Sequence, residues 1–113
     1  WGSLGQGILT GKITKDTVFG ADDRRSRDIY TNFHGAKLIH NLEIVEQLKN
    51  LAAKYEKPVS SIAIRFTLDH LKGSIALVGV KNVNQLKENL AAFGFELDKK
   101  DLDHLVEISP FKQ

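Results

Sequence analysis

SIALVGV, residues 74–80, is a short apolar run that follows a glycine and leads into a polar segment. Its length and its β-branched residues favour a strand buried on both faces, as in a parallel sheet. Such a strand needs neighbours, and the sequence contains no second complete strand of the same character. We therefore expect its neighbours to come from sequence beyond these residues or from another chain.

Amphipathic helices flank this strand in the sequence. Apolar residues at helical spacing predict a first helix over residues 41–56, capped by Asn41, and a second over residues 59–71. A third helix is predicted over residues 82–93, and Asp98 begins a fourth in a variant of the capping box. The side chains expected to face inward from the third helix are Leu86, Leu90 and Phe93. With a strand end and a loop before the first helix, this order is typical of an α/β protein.

The bulk composition limits the possible functions. A length of 113 residues allows one domain, and 42% hydrophobic with 27% charged residues is typical of a soluble globular protein. The net charge of +2 is too small to indicate a nucleic-acid or membrane partner, and no apolar run reaches the length of a membrane span. The absence of cysteine excludes disulfides and fits a reducing compartment, so we expect a cytoplasmic protein.

A glycine-rich stretch, GQGILTGK at residues 5–12, is similar to a phosphate-binding loop. A P-loop needs glycine where Gln6 stands and serine or threonine where Ile13 stands, so the triphosphate pattern fails at both ends. The dinucleotide fingerprint G-x-G-x-x-G also fails, because Thr10 occupies its third glycine position. The stretch is then either a tight turn that requires glycine or an anion site in which backbone N–H groups lie beside Lys12.

Two further segments carry side chains suited to a ligand. DDRRSR at residues 22–27 places three arginines within four residues. They could hold a phosphate bidentately, or they could pair with the neighbouring aspartates on a solvated loop. Polar residues within 79–89 follow the predicted strand at the end where α/β folds bind ligands, although helix capping and surface polarity explain them equally well. The four histidines lack metal-ligand spacing, so no metal site is expected.

Three stretches together resemble one protein family. They are WGSLGQGILTGK (1–12), KNLAAKYEKPVSSIAIRFTLDH (49–70) and VGVKNVNQLKEN (78–89). In order and spacing they resemble the C-terminal third of an aldo-keto reductase. The resemblance implies an α/β fold, a C-terminal fragment of a (β/α)8 TIM barrel that is predominantly helical in isolation with one or two short strands. It divides residues 1–113 into a strand end and cofactor loop (1–37), a helix pair (38–72), the last barrel strand (74–80) and terminal helices (82–113).

The resemblance also implies an NADP(H) cofactor and the residues that would hold it. By similarity, Trp1 would stack on the nicotinamide ring. Lys12 and either Arg24 or Arg25 would approach the phosphates, including the adenosine 2′-phosphate. The pyrophosphate would lie along the backbone of Gly2, Ser3, Leu4, Gly5 and Gly7, and the adenosine end against Gly79, Lys81, Gln85, Glu88 and Asn89. These residue types suit the ligand, since cations bind phosphate and amides or carboxylates bind ribose and adenine edges.

The family's catalytic aspartate, tyrosine, lysine and histidine lie on earlier strands, so the resemblance assigns no catalytic residue within this sequence. The first hypothesis is the NADP-binding part of a reductase that acts on aldehydes and ketones and that is inactive as an isolated chain. The second is a non-catalytic binding or assembly module derived from the same fold. Under both hypotheses the strand at 74–80 needs a partner, either the N-terminal part of the barrel or a second copy of the chain.

Overall fold

Four α-helices frame the molecule in the computed structural model, which describes residues 2–109. They are α1 (Gly35–Tyr55), α2 (Val59–His70), α3 (Val83–Leu90) and α4 (Lys99–Ile108). Short 3-10 turns at Gly5–Thr10, Arg24–Ser26 and Thr31–Phe33 shape the long segment before α1. No strand forms among the described residues, so the chain is predominantly helical, as predicted. None of the helices in this part of the chain is long and apolar enough to cross a bilayer.

The core lies between α1, α2 and α4. Its largest fully buried side chain is Ile62 of α2. The buried cluster consists of Leu48, Leu51, Ala52, Ile62, Ala63, Leu97 and Leu105. A second, smaller cluster of Ile8, Ile13 and Phe33 lies beneath the segment before α1. Complete burial of one large apolar side chain contributes about 1.5–3 kcal/mol to stability. Since this cluster includes Ile8 and packs against Leu38, it holds the glycine-rich stretch against α1.

The first helix begins six residues earlier than predicted. α1 starts at Gly35, and Asn41 lies inside it rather than at its cap. The Asn41 side-chain Nδ2 donates to the backbone oxygen of Asn32 at 3.1 Å. Leu38, in the added turn, packs against the Ile8, Ile13 and Phe33 cluster. The tertiary contact therefore extends the helix beyond the stretch in which its own periodicity is evident.

A polar cluster of Lys54, Tyr55, Asp98 and Asp101 attaches α4 to α1. The Tyr55 hydroxyl donates to Asp101 Oδ2 at 2.6 Å and accepts the Asp98 backbone N–H at 2.8 Å. Lys54 Nζ lies 2.6 Å from Asp101 Oδ2 and 3.1 Å from Asp98 Oδ2, and these hydrogen bonds raise the pKa of Lys54 above its ordinary value. The capping box predicted at Asp98 is absent, because its side chain accepts from Lys54 instead of from a helix N–H.

Residues 74–80 and α3 differ most from the prediction. The 74–80 segment forms no strand ladder, because no second strand among the described residues is there to pair with it. α3 begins where the Asn82 side chain accepts the Gln85 backbone N–H at 2.9 Å, and it ends at Leu90. Leu86, Leu90 and Phe93 were expected to face inward but are 44%, 52% and 64% exposed. The apolar spacing identifies a face suited to packing, and within residues 2–109 nothing covers that face.

Candidate functional site

A long groove of about 960 Å³ brings together segments that are far apart in the sequence. Its walls come from residues 2–13, residues 22–25, residues 77–81 and the first turns of α3. The predicted cofactor residues that line it are Gly2, Ser3, Leu4, Gly7, Lys12, Arg24, Arg25, Gly79, Lys81, Gln85, Glu88 and Asn89. Gly5 lies in the adjoining turn and does not line the groove, and Trp1 lies outside the described residues.

The glycine-rich stretch forms a tight turn that lines the groove. Gln6 and Gly7 have positive φ values of 58° and 101°, and the Gly7 N–H donates to the Leu4 oxygen at 3.0 Å. A Cβ atom at Gly7 would lie only 3.2 Å from Arg25 Nη1. Glycine is favoured at position 7 by its φ of 101°, and an added Cβ atom would also crowd the arginine.

Two side-chain contacts join this turn to the opposite wall. Ser3 Oγ donates to the backbone oxygen of Leu77 at 3.1 Å. Lys12 Nζ lies 3.5 Å from Glu88 Oε2, with 63% and 37% of the two side chains exposed. A pair this exposed contributes little to stability, so the Lys12 ammonium group can exchange its partner for an anion at low cost.

The two candidate arginines have different environments. Arg25 donates to Asp23 through Nε at 3.0 Å and Nη2 at 2.6 Å, and its guanidinium lies 4.6 Å from the centre of the Phe19 ring. Its Nη1 donates to the backbone oxygen of Gln6 at 3.3 Å. The hydrogen bonds from Arg25 lower the pKa of Asp23 from 3.8 to about 2. Arg24 lines the groove and is exposed, and it forms no ion pair within the described part of the chain.

Of the two alternatives for the basic segment, pairing with a neighbouring aspartate is therefore observed at Arg25. Its guanidinium positions the arginine loop against the glycine-rich turn. The guanidinium N–H groups of Arg24 make no ion pair within the described residues and are available to a ligand. The charge of Lys81 makes a smaller contribution to the lowered pKa of Asp23, and both residues line the groove.

The start of α3 presents a fixed amide to the groove. The Gln85 side-chain Oε1 accepts the Lys81 backbone N–H at 2.7 Å, and the Gln85 backbone N–H donates to the Asn82 side chain. With Oε1 occupied, the Gln85 Nε2 group is left as a donor toward the groove. The two hydrogen bonds hold the connection between residues 77–81 and α3 in one geometry.

A buried serine of the groove was not predicted from the sequence. Ser60, in the first turn of α2, is only 3% exposed, and its hydroxyl has no hydrogen-bond partner in the part of the chain that the structure describes. Asn89, which also lines the groove, is 8% exposed. Buried polar groups normally have a hydrogen-bond partner, so the Ser60 hydroxyl is an exception within the described residues. Two adjacent serines in the first turn of α2 were the only sequence signal for this position. The second of them, Ser61, donates to the Glu88 backbone oxygen.

The remaining polar clusters lie outside the groove. A hollow of about 490 Å³ beside α1 and α4 is lined by His40, Glu43 and His104 among others. No group of three histidine, cysteine or carboxylate side chains among residues 2–109 could hold a metal ion. Lys54, Tyr55 and Asp101 lie outside the groove lining and join two helices.

The arrangement of helices and loops matches one portion of a solved TIM barrel. The glycerol dehydrogenase AKR11B4 from Gluconobacter oxydans is similar with a TM-score of 0.83 and 33% sequence identity, over 95% of this chain and 32% of that chain. The fold class predicted from the sequence, a portion of a (β/α)8 barrel, is thereby confirmed.

Sequence comparison identifies the family. The model of the aldo/keto reductase family matches residues 1–110, so this chain belongs to that family, as the three motifs predict. Aldo-keto reductase YhdN of Bacillus subtilis (strain 168) is 36% identical over 111 residues, which is 95% of this chain and 33% of the relative. The NADH-specific methylglyoxal reductase of Escherichia coli (strain K12) is 30% identical over 98 residues, 87% of this chain and 29% of the relative. The chain thus spans about a third of the length of the curated relatives it matches.

Proposed function

We propose that this chain forms the cofactor-binding part of an NADP(H)-dependent aldo-keto reductase that converts aldehydes and ketones to alcohols. One observation carries the proposal. The groove gathers residues of the glycine-rich stretch, the arginine loop and the start of α3, which lie more than 70 positions apart at the extremes. A dinucleotide needs this combination of a glycine turn, cations and amide groups along one elongated site.

The cations of the groove support binding of a phosphorylated adenosine. Arg25 is engaged by Asp23 and stacked on Phe19. Arg24 forms no ion pair within the described residues, so it is available for a phosphate. We therefore assign the 2′-phosphate contact to Arg24 and a positioning role to Arg25. Lys12 would exchange its exposed contact with Glu88 for the pyrophosphate.

The polar groups on the other wall would hold the ribose and adenine. The Gln85 amide and the buried Asn89 side chain offer donors and acceptors there, and the unpartnered Ser60 hydroxyl would gain a hydrogen bond. The bound nicotinamide would supply a hydride to the substrate carbonyl. The contribution of the described residues is to bind and orient the cofactor, and the stacking of Trp1 on the ring remains a prediction from the family resemblance.

The test compares NADPH with NADH, since one relative is named an NADH-specific enzyme. Both nucleotides are titrated into the chain by calorimetry, with Arg24→Ala and Arg27→Ala as a matched pair. Arg27 is in the same basic segment but does not line the groove. We expect Arg24→Ala to weaken NADPH binding about tenfold to hundredfold, since a charge-assisted hydrogen bond contributes about 1.5–3 kcal/mol, and to leave NADH binding unchanged.

Three outcomes contradict the proposal. They are an absence of binding for both nucleotides, an equal loss for NADPH and NADH in Arg24→Ala, and a loss in Arg27→Ala as large as in Arg24→Ala. The chain mixed with NADPH and an aldehyde should show no loss of absorbance at the nicotinamide band. Turnover by the chain alone would place the catalytic residues within it and would refute the assignment of a binding role only.

A further inference from the structure

One face of α2 carries three polar side chains at a spacing of four residues, and we call Ser61, Arg65 and Asp69 the α2 polar row. Residues four apart share a helix face, and all three contact backbone groups within residues 88–97. That segment runs from the last turn of α3 toward the start of α4. Ser61 is fully buried, and the Arg65 and Asp69 side chains are only 15% and 13% exposed. The row therefore fixes the end of α3 against α2.

The Arg65 and Asp69 side chains hold the backbone that follows α3. Arg65 Nη2 lies 2.6 Å from Asp69 Oδ1, and Arg65 Nη1 donates to the Ala92 oxygen at 3.3 Å. Asp69 Oδ2 accepts the Leu97 N–H at 3.0 Å. Ala92 and Leu97 are buried, and neither of them lines the groove. This part of the row therefore anchors the connection between α3 and α4, outside the candidate site.

Ser61 completes the hydrogen bonds at the end of α3. The Ala91 N–H bonds to the oxygen four residues back, whereas the Ala92 N–H bonds only three residues back, to Asn89. This tightening leaves the Glu88 oxygen without a backbone N–H in the part of the chain that the structure describes. The Ser61 hydroxyl donates to that oxygen. The last carbonyls of a helix need such partners, so Ser61 fixes the position of the last turn of α3.

The last turn of α3 carries two residues of the groove. The Glu88 and Asn89 side chains line the groove, and Asn89 is only 8% exposed. α3 has eight residues, and a helix this short depends on packing to hold its shape. Ser61 itself does not line the groove. We propose that Ser61 is a positioning residue of the nucleotide site, which sets the direction of the Asn89 side chain by holding the Glu88 carbonyl.

This inference rests on the proposed function, which places the ribose and adenine against Asn89. It predicts a different binding signature from that of Arg24. NADPH and NADH share the adenosine and differ only in the 2′-phosphate, so a displaced Asn89 side chain should weaken the binding of both to the same extent. Loss of Arg24 should weaken the binding of NADPH alone.

The experiment compares Ser61→Ala with Thr67→Val by calorimetric titration of the 113-residue chain with NADPH and with NADH. Thr67 is the matched control, because its hydroxyl donates to the Ala63 oxygen at 3.3 Å within α2 and does not reach α3. We expect Ser61→Ala to weaken the binding of both nucleotides about tenfold, the factor that one net hydrogen bond represents, and Thr67→Val to leave both unchanged. Urea unfolding shows that each variant is folded. If Ser61→Ala is not folded, Ser61→Cys replaces it, since a thiol fills the site but donates only weakly.

A double-mutant cycle with Asn89→Ala separates positioning from a general loss of stability. If Ser61 acts through Asn89, adding Ser61→Ala to Asn89→Ala should weaken binding by less than about twofold further, because the side chain to be positioned is already gone. A general loosening of the chain would instead add its full factor in both backgrounds. Equal factors in the two backgrounds would overturn the inference.

Nuclear magnetic resonance reports the position of Asn89 without a nucleotide. We expect Ser61→Ala to shift the resonances of the Glu88 carbonyl carbon and the Asn89 side-chain amide, and Thr67→Val to shift neither. A wild-type chain that binds neither nucleotide would refute the proposed function and this inference together. Nucleotide binding by the wild-type chain with equal affinities for Ser61→Ala and Thr67→Val, or with unshifted Asn89 resonances, would refute this inference alone.

Discussion

Replacing Tyr55 by phenylalanine tests whether the polar cluster between α1 and α4 stabilises the fold. The substitution keeps the ring, which lies 5.6 Å from the Phe95 ring, and removes only the hydroxyl. That hydroxyl makes two hydrogen bonds, one to the Asp101 carboxylate at 2.6 Å and one from the Asp98 backbone N–H at 2.8 Å. Both bonds are lost together, and they connect positions more than 40 residues apart.

The expected cost follows from the type and exposure of each bond. A hydrogen bond to a charged acceptor contributes about 1.5–3 kcal/mol, and a neutral bond about 1 kcal/mol. Asp101 keeps its contact with Lys54, and water can reach the Asp98 N–H at the exposed start of α4. We therefore expect a loss of about 2 kcal/mol in the free energy of unfolding, and a fall in Tm of about 8 °C for a domain of this size.

The pH dependence supplies an independent check. Burial raises the pKa of Asp101, but hydrogen bonds from Lys54 and Tyr55 outweigh burial and hold it below 3.8. A carboxyl with a lowered pKa stabilises the fold above its unfolded-state pKa, and this stabilisation is lost as pH falls through the folded-state value. The difference in stability between the wild-type chain and Tyr55→Phe should therefore be largest near neutral pH and should shrink below about pH 4.

Urea unfolding followed by circular dichroism at pH 7 and at pH 3 measures both effects. Tyr30→Phe is the matched control, because the Tyr30 hydroxyl has no hydrogen bond within residues 2–109 and its removal should cost less than about 0.5 kcal/mol. If Tyr55→Phe costs no more than Tyr30→Phe, or if its cost is the same at both pH values, the role assigned to the cluster is wrong.

Three further predictions concern backbone strain and acid stability. Glu56→Gly should stabilise the chain by about 1 kcal/mol in urea unfolding, because Glu56 ends α1 with a φ of 54° that glycine adopts without strain; a destabilised variant would contradict this. Gly11→Ala should destabilise by about 1–3 kcal/mol, since φ is 77° and a Cβ would lie 3.3 Å from Val59 Cγ2. Gly20→Ala, in open space, should be neutral, and equal costs at the two glycines would count against the reasoning. Hydrogen bonds from Arg25 lower the pKa of Asp23 to about 2. The contribution of the Asp23 carboxylate to stability is therefore complete above pH 4 and is lost as pH falls toward 2. Thermal unfolding of Asp23→Asn should be less sensitive to pH in this range than that of the wild-type chain.

The family resemblance pointed to residues that the structure brings together, and their role in cofactor binding stays a prediction. Twelve of the fourteen proposed residues line one groove, even though no single motif identified a ligand. Ser60 was missed, since burial of a hydroxyl without a partner is a property of packing that a linear pattern does not record. The choice between Arg24 and Arg25 was also left open, because it depends on which guanidinium the Asp23 carboxylate and the Phe19 ring hold.

The helices show the same division between local and tertiary information. The amphipathic spacing located α1 and α2 because side chains three and four positions apart share a helix face. The start of α1 at Gly35 depended on the packing of Leu38 against residues distant in sequence. The exposed face of α3 could not be foreseen, because periodicity shows which residues lie together and not whether another element covers them.

The sequence by itself determined the family, the approximate helical segments and the residue types of the groove. The family follows from the order of the motifs, and the helices follow from the spacing of apolar residues. Only the tertiary structure decided which arginine is engaged by Asp23, that the Ser60 hydroxyl is buried without a partner, and that the apolar side of α3 is open. The physical reason is that pairing, burial and exposure are relations between residues far apart along the chain. Those relations exist only after the helices have packed.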